Sequence, residues 1–319
     1  PLCGESMTIG RASRMGRATL TGGTAGAAFG LMGLDLKQVA PARLRYIARR
    51  AAAACPARPM RHAFAIALLC LGLHVPALPA SVYLQELSTT DVRDALREGR
   101  RTIIIPVGGV EQNGPHMALG KHDFRVHVLA GRIAAELGNA LVAPVVAYVP
   151  EGRISPPTEH MRQAGTISVP ETAFKAVIDG AARSFAQHGF TDIVILGDSG
   201  NYQAALKAVA DALNRDWKRG PARAHFIADY YLAAQAPFAK LLRERGLSDA
   251  QIGSHAGAAD TALMLAVDTS RVWPDRASAG AEGVSGDPRR ASAELGKLGT
   301  DLVVQRSVAA IRQATAAPR

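Results

Sequence analysis

The feature that most constrains this chain is an alternation of short apolar runs with longer helical patterns. The runs are Thr102–Val107, Leu141–Ala147, Asp192–Leu196 and Ala224–Ala228. All four are rich in β-branched or small apolar residues, and each is short enough for a strand. Between and around them, apolar residues recur at helical spacing over Thr90–Glu98, Phe124–Leu137, Pro170–His188, Tyr202–Trp217, Pro237–Arg245, Ala258–Val267 and Pro288–Ala314. A strand that is apolar on both faces must be covered on both faces. Strand–helix alternation therefore predicts an α/β fold, a three-layer sandwich with a mainly parallel central sheet flanked by helices. Turn and cap signals agree. Ser168 stands two residues before Pro170 at one helix opening, and Ser248 and Ser285 are placed to cap later ones.

Charge is unevenly spread. The chain carries a formal net charge of +10, but residues 1–59 hold nine Lys/Arg against Glu5 and Asp35. The rest of the 319 residues is close to neutral. The basic balance thus belongs to a leading Ala/Gly/Arg-rich segment and gives no reason to expect nucleic acid as a partner. Aromatic residues make up only 5% of the chain, too few for a base-stacking surface.

Residues 60–80 open with Met60-Arg61-His62 and continue as an apolar stretch broken by Pro76 and Pro79. A basic start, a short apolar centre and small residues at the end form the pattern of a secretory signal peptide, with cleavage after Ala77 or Ala80. The stretch is short for a membrane-spanning helix, so no stable membrane insertion is expected after cleavage. The expected organisation is a basic leader or upstream extension over 1–59, a signal peptide over 60–80, and one α/β domain over 81–319 in a periplasmic or secreted protein. Cys3, Cys55 and Cys70 all precede that domain. A metal site in it would use His, Asp or Glu.

In open parallel sheets, ligands bind beyond the carboxyl ends of the strands. Four polar clusters fall there. Glu111, Asn113, His116, His122 and Asp123 follow the first run, and Glu151, Glu159 and His160 follow the second, on the long irregular segment 148–166. Asp198, Ser199 and Asn201 follow the third, and His255 precedes a helix that carries Asp260. Each has an ordinary reading too: Asp198 could cap a helix, and His122 and Asp123 could simply open one. No nucleotide cofactor is expected, because neither G-x-G-x-x-G nor G-x-x-x-x-G-K-[ST] occurs. Gly197-Asp198-Ser199-Gly200 between a strand and a helix has the look of a nucleophile elbow, but the second glycine of G-x-S-x-G is replaced by Asn201.

The blocks "PVGGVEQNGPHMALGKHDF", "HMRQAGTIS", "FTDIVILGDSGNYQ" and "SHAGAADTALMLAV", in that order, resemble those of the creatininase (creatinine amidohydrolase) family. The likeness runs from about residue 84 to about 314. It implies metal-dependent hydrolysis of amide bonds, with a small-molecule amide or peptide-like substrate, in a homo-oligomer that is often a hexamer. The ligand positions depart from the family pattern. Glu111 is kept, but Asn113 stands at a ligand histidine, His122 at the bridging aspartate and Ser199 at a later histidine, with Asn201 at a further ligand position. The expected site is therefore mononuclear. Its metal ligands would be Glu111, His122, Asp123 and Asp198, with zinc ahead of manganese or iron. His255 would donate a proton, oriented by Asp260 or a backbone carbonyl. His116, Glu151, His160, Ser199 and Asn201 would face substrate. The competing expectation is a degenerate, non-catalytic member that binds a small amide or amino-acid-like ligand.

Overall fold

The computed structural model describes residues 81–316. The expected basic leader and signal peptide, residues 1–80, lie outside the described residues. The elements are α1 (Thr89–Arg97), β1 (Thr102–Val107), α2 (Lys121–Leu137), β2 (Ala140–Val142), α3 (Glu171–Gln187), β3 (Asp192–Gly197), α4 (Gln203–Asp216), β4 (Arg223–Phe226), α5 (Ala228–Ala233), α6 (Ala236–Glu244), α7 (Asp249–Ile252), α8 (Ala258–Val267) and α9 (Ala293–Ala316).

The four strands pair in the order β2-β1-β3-β4, all parallel. Every residue of β1 and β3 is buried. Their alternating side chains supply two separate cores. Ile103, Ile105, Val107, Ile193 and Ile195 pack with Phe174 and Ile178 of α3 and Leu206 and Leu213 of α4. Ile104, Val194 and Leu196 pack on the other face with Leu129 and Ile133 of α2, Tyr230 of α5 and Val303 and Val308 of α9. This is the three-layer α/β sandwich expected from the two-sided apolar runs.

Three expectations need correction. The second strand ends at Val142 rather than Ala147, because Pro144 cannot donate to a ladder; only Val146 rejoins β1, opposite Val107. The last helix begins at Ala293; Pro288–Arg290 is a separate 3₁₀ turn capped by Asp287. Ser248 does cap a helix, through a reciprocal box with Gln251, but Ser285 instead bridges to His255, and the Ser168 hydroxyl bonds the Glu151 and Gly152 backbone. Among the described residues, no helix is long and apolar enough to cross a membrane.

The strand order places the site. From β1 the chain passes to β2 on one side, and from β3 to β4 on the other. The ends of β1 and β3 therefore open a crevice, the place where parallel sheets bind ligands. Tyr202 clamps its floor. Its buried hydroxyl lies 2.5 Å from the Gly108 carbonyl and accepts from the backbone N–H of Asp198 (3.2 Å) and Ser199 (2.9 Å).

Candidate active site

The loop after β1 is tied down by side chains that the sequence offered as ligands. Asn113 is buried, and its amide donates to the Glu111 and Ala118 carbonyls, both at 2.9 Å. His116 is fully buried and pairs with Thr261 of α8 at 3.0 Å, so it anchors the loop and does not face substrate. Asp123 accepts from the Gly109 N–H at 2.8 Å. It presses so close that a Cβ on Gly108 would lie 2.1 Å from its carboxylate, and glycine is required there. Asp123 is therefore a loop clamp, not a metal ligand.

What fills the crevice is a buried network of charges. His122 lies between two carboxylates, with Nε2 at 2.9 Å from Glu111 and Nδ1 at 2.5 Å from Asp198. Burial is the strongest single influence and disfavours its charge, but Glu111 and Asp198 together outweigh burial and push the pKa up to about 9. His122 is thus an imidazolium that donates from both nitrogens. It has no lone pair for a metal, which corrects its expected role as ligand. Asp198 is also committed. Arg125 grips it at 2.6 Å, and the Tyr230 hydroxyl donates at 2.6 Å. Although burial opposes its charge, Arg125 and His122 hold its pKa down to about 2. Lys121, 1% exposed, reaches Glu111 at 3.2 Å and Asp260 at 2.9 Å, and Arg125 reaches Asp260 at 3.1 Å. Asp260 also accepts from the Ala256 N–H, which leaves it no bond to His255. Its role is to hold Lys121, Arg125 and the Ala256 turn in place.

Lys121, His122 and Arg125 balance Glu111, Asp198 and Asp260. All three cations stand in the first turn and a half of α2, where the helix dipole favours anions. They are held by carboxylates from three other segments. Residue-type reasoning missed Lys121 and Arg125 because it searched for ligands. The signal was there in "GKHDFR", a cationic cluster opening a helix.

On the open side of Glu111 the picture differs. Glu111, His160 and His255 bring donor atoms within 4.8 Å of one another. Glu111 Oε2 is buried and has no hydrogen-bond partner. The rings of His160 and His255 lie 4.7 Å apart, and Gln112 touches both. His255 lies 2.9 Å from the Gln112 carbonyl, the backbone partner foreseen for it. Burial, with Lys121 nearby, pushes its pKa down to about 4. Near neutral pH His255 is an uncharged imidazole, suited to a metal and poorly suited to the expected role of proton donor. The non-glycine residues with left-handed φ among the described residues are Glu159 (51°) and Ala256 (53°), each next to one of these histidines. Such backbone strain gathers at functional sites.

Glu151 stands beside Glu111, fully buried. Burial and then the Glu111 charge push its pKa up to about 8, so it keeps its proton near neutrality. Its Oε2 accepts from Asn201 at 2.6 Å, while Oε1 has no partner. Asn201 thus positions Glu151. Ser199 Oγ accepts from the Asn201 N–H, and among the described residues no imidazole hydrogen-bonds to it, so the elbow reading finds no base. Glu111, His160, Asp198, Ser199, Asn201 and His255 are among the residues around a cavity of about 240 Å³. Asn201 also borders a second cavity of about 780 Å³, formed by the segments 150–159 and 168–171.

Known proteins share this fold. The mycofactocin precursor peptide peptidase of Mycolicibacterium smegmatis (strain ATCC 700084 / mc(2)155) is 31% identical over 113 residues, 34% of this chain and 43% of that protein. The creatinine amidohydrolase of Pseudomonas putida is 26% identical over 264 residues, 73% of this chain and 97% of that protein. The match to the peptidase spans less than half of the peptidase's length. A crystal structure of creatinine amidohydrolase (creatininase) superposes with a TM-score of 0.64 at 21% identity, covering 75% of this chain and 99% of that one. Creatininase structures of Mn and of Zn-Zn type share the same fold. Residues 85–311 match the creatininase family, described as creatinine amidohydrolase, and the chain belongs to that family.

Proposed function

We propose that this chain hydrolyses the C–N amide bond of a peptide-like substrate with one divalent metal ion, held by Glu111, His160 and His255. The observation that carries the reading is the buried Oε2 of Glu111, which accepts no hydrogen bond and faces His160 Nε2 at 3.4 Å, with His255 alongside, at the switch point of the sheet. A buried carboxylate oxygen that accepts no hydrogen bond calls for a positive charge. The set of one oxygen and two nitrogen donors suits zinc, or manganese as the alternative. These residues therefore fit the ion.

When bound, the ion supplies a Lewis acid for the scissile carbonyl and lowers the pKa of water. The chain's own groups do the rest. His122 and Lys121 hold Glu111 ionised and fixed: burial would raise its pKa, but both cations outweigh burial and keep it well below the usual carboxylate range. Glu151, a carboxylic acid near neutrality, donates its proton to the leaving nitrogen, with Asn201 fixing its other oxygen. The substrate reading follows from the cavities. A small cyclic amide needs only the 240 Å³ chamber, whereas an extended peptide would also use the 780 Å³ groove that meets it at Asn201. The kinship with peptidases supports the same choice.

Purified protein, chelated and then reloaded with zinc or manganese, tests this directly. Metal content by mass spectrometry is expected to approach one equivalent, with cleavage of peptide amides ahead of creatinine. Glu151→Gln is expected to lower kcat by about 10²–10⁴-fold, in the range of a lost general acid, with KM little changed. Metal content that stays near zero after reloading, or full activity in Glu151→Gln, would sink the reading. Export belongs to the same proposal, supported by the signal-like stretch 60–80. N-terminal sequencing of protein from a periplasmic fraction, expected to begin near residue 78 or 81, checks it, and light scattering checks the expected homo-oligomer.

A further inference from the structure

Ile227 alone separates β4 from α5, so α5 stands at the carboxyl edge of the sheet, where the crevice opens. It carries two adjacent tyrosines. Tyr230 is buried and spends its hydroxyl on Asp198 at 2.6 Å. Tyr231 is half-buried and lines the chamber of about 240 Å³ together with Glu111, His160 and His255. Among the described residues the Tyr231 hydroxyl makes no hydrogen bond. We propose, on the basis of the amide hydrolysis set out above, that Tyr231 is a further catalytic residue: its O–H donates a hydrogen bond to the scissile carbonyl oxygen as negative charge develops there.

Three features support this role. First, the chain leaves room for the hydroxyl. A Cβ on Gly200 would lie 2.7 Å from Tyr231 Oη, so the absence of a side chain at Gly200 gives the phenol its place on the chamber wall. Second, the group is held as a donor. Burial, and then the Asp260 charge, raise its pKa, so the phenol keeps its proton across the neutral range. Third, the cations of the chamber are already committed to carboxylates: Lys121 to Glu111 and Asp260, His122 to Glu111 and Asp198, and Arg125 to Asp198 and Asp260. A fixed, unspent donor aimed into a small cavity is what a carbonyl oxygen gaining charge requires. Water adds to the carbonyl carbon and an electron pair moves onto that oxygen, where the Tyr231 O–H meets it without giving up its proton. The pair returns as the C–N bond breaks, Glu151 passing its proton to the nitrogen and regaining one from the added water.

Tyr231→Phe removes the hydroxyl and keeps the ring. The full chain and this variant, both reloaded with zinc or manganese, are compared in cleavage of a peptide amide and in affinity for a phosphinic peptide, whose tetrahedral, charged phosphorus group mimics the oxygen in question. Thermal unfolding is followed on the chelated proteins. In Tyr231→Phe, kcat is expected to fall about 10²-fold with KM little changed. The phosphinic peptide is expected to bind about 10–100-fold more weakly, the worth of one hydrogen bond to a charged acceptor. The melting temperature is expected to stay within about 2 °C of wild type, because the hydroxyl has no internal bond to lose. A wild-type kcat, or unchanged affinity for the phosphinic peptide, would overturn the assignment. So would a melting temperature lower by more than about 4 °C, which would mark the hydroxyl as a structural group. If wild type cleaves no amide, the hydrolase reading fails on its own, and the phosphinic peptide still decides for Tyr231. The same loss of affinity keeps the hydroxyl as a donor to a tetrahedral anion, whereas equal affinity, or no binding by either protein, refutes it.

Discussion

Arg125→Met should be the most damaging single substitution in the charge network. The guanidinium is buried and serves two carboxylates, Asp198 through Nε (2.9 Å) and Nη2 (2.6 Å), and Asp260 through Nη1 (3.1 Å). Methionine fills much of the same volume but donates nothing. Asp198 would keep His122 and Tyr230, and Asp260 would keep Lys121 and the Ala256 N–H, so neither carboxylate is stripped of all partners. One positive charge would still be missing from a balanced set. Removing one partner of a buried pair costs about 3–5 kcal/mol, a large part of the roughly 5–15 kcal/mol that holds most proteins folded. For a fold of this size each kcal/mol moves the melting temperature by about 2–4 °C, so the drop should be roughly 6–20 °C. Circular dichroism melts at pH 7 on chelated protein read it without involving activity. The double variant with Asp198→Asn removes a matching negative charge. It should be less destabilised than the sum of the two singles by about 0.5–3 kcal/mol. A melting temperature within about 3 °C of wild type, or strict additivity in the double variant, would refute the claim that this network is charge-balanced and coupled.

Stability should also depend on pH in a defined direction. The pKa of His122, raised from 6.5 to about 9, gives stability that is fully present below pH 6.5 and lost as pH rises through 9, about 3 kcal/mol at roughly 1.4 kcal/mol per pH unit. Glu151, raised from 4.5 to about 8, acts in the same direction, while Asp198, lowered from 3.8 to about 2, gives stability that is lost as pH falls through 2. His255, lowered from 6.5 to about 4, acts in the opposite direction, its stability being lost as pH falls through 4, so chelated protein should melt highest on a plateau between about pH 4.5 and 6.5 and progressively lower toward pH 10; a melting temperature that climbs between pH 6.5 and 9 contradicts this. Tyr202→Phe should cost about 1–3 kcal/mol, because it takes the hydroxyl from the buried Ser199 N–H and the Gly108 carbonyl, while the Asp198 N–H keeps the Val107 carbonyl at 3.0 Å. Denaturant unfolding with a loss under about 0.5 kcal/mol would show that the clamp is not needed.

The layers of the fold were legible because two-sided burial writes itself into β1 and β3 as unbroken apolar runs. Elements with weaker patterns were not. Helix α5 is six residues directly after β4, too short to show a period, and β2 stops where Pro144 interrupts what otherwise reads as one apolar run. The site was half legible, for a reason of chemistry. Topology gathered the right loops: Glu111, His160, Asp198 and His255 do meet at one crevice. Residue type could not say which of them keep a free lone pair. His122 loses both to flanking carboxylates, Asp198 is saturated by Arg125, His122 and Tyr230, and Asp123 is spent on the Gly109 N–H. His160 and His255, expected to serve substrate and proton transfer, sit beside the carboxylate oxygen that accepts no hydrogen bond. Ligand capacity depends on what else each atom bonds, and those partners come from segments up to about 140 residues away, as Lys121 and Asp260 do. Lys121 and Arg125 could still have been suspected from the sequence. Cations at the positive end of a helix are unfavourable in isolation, and a chain that buries two there must bring carboxylates to meet them. Counting Glu111, Asp198 and Asp260 against Lys121, His122 and Arg125 would have foretold a network that neutralises itself.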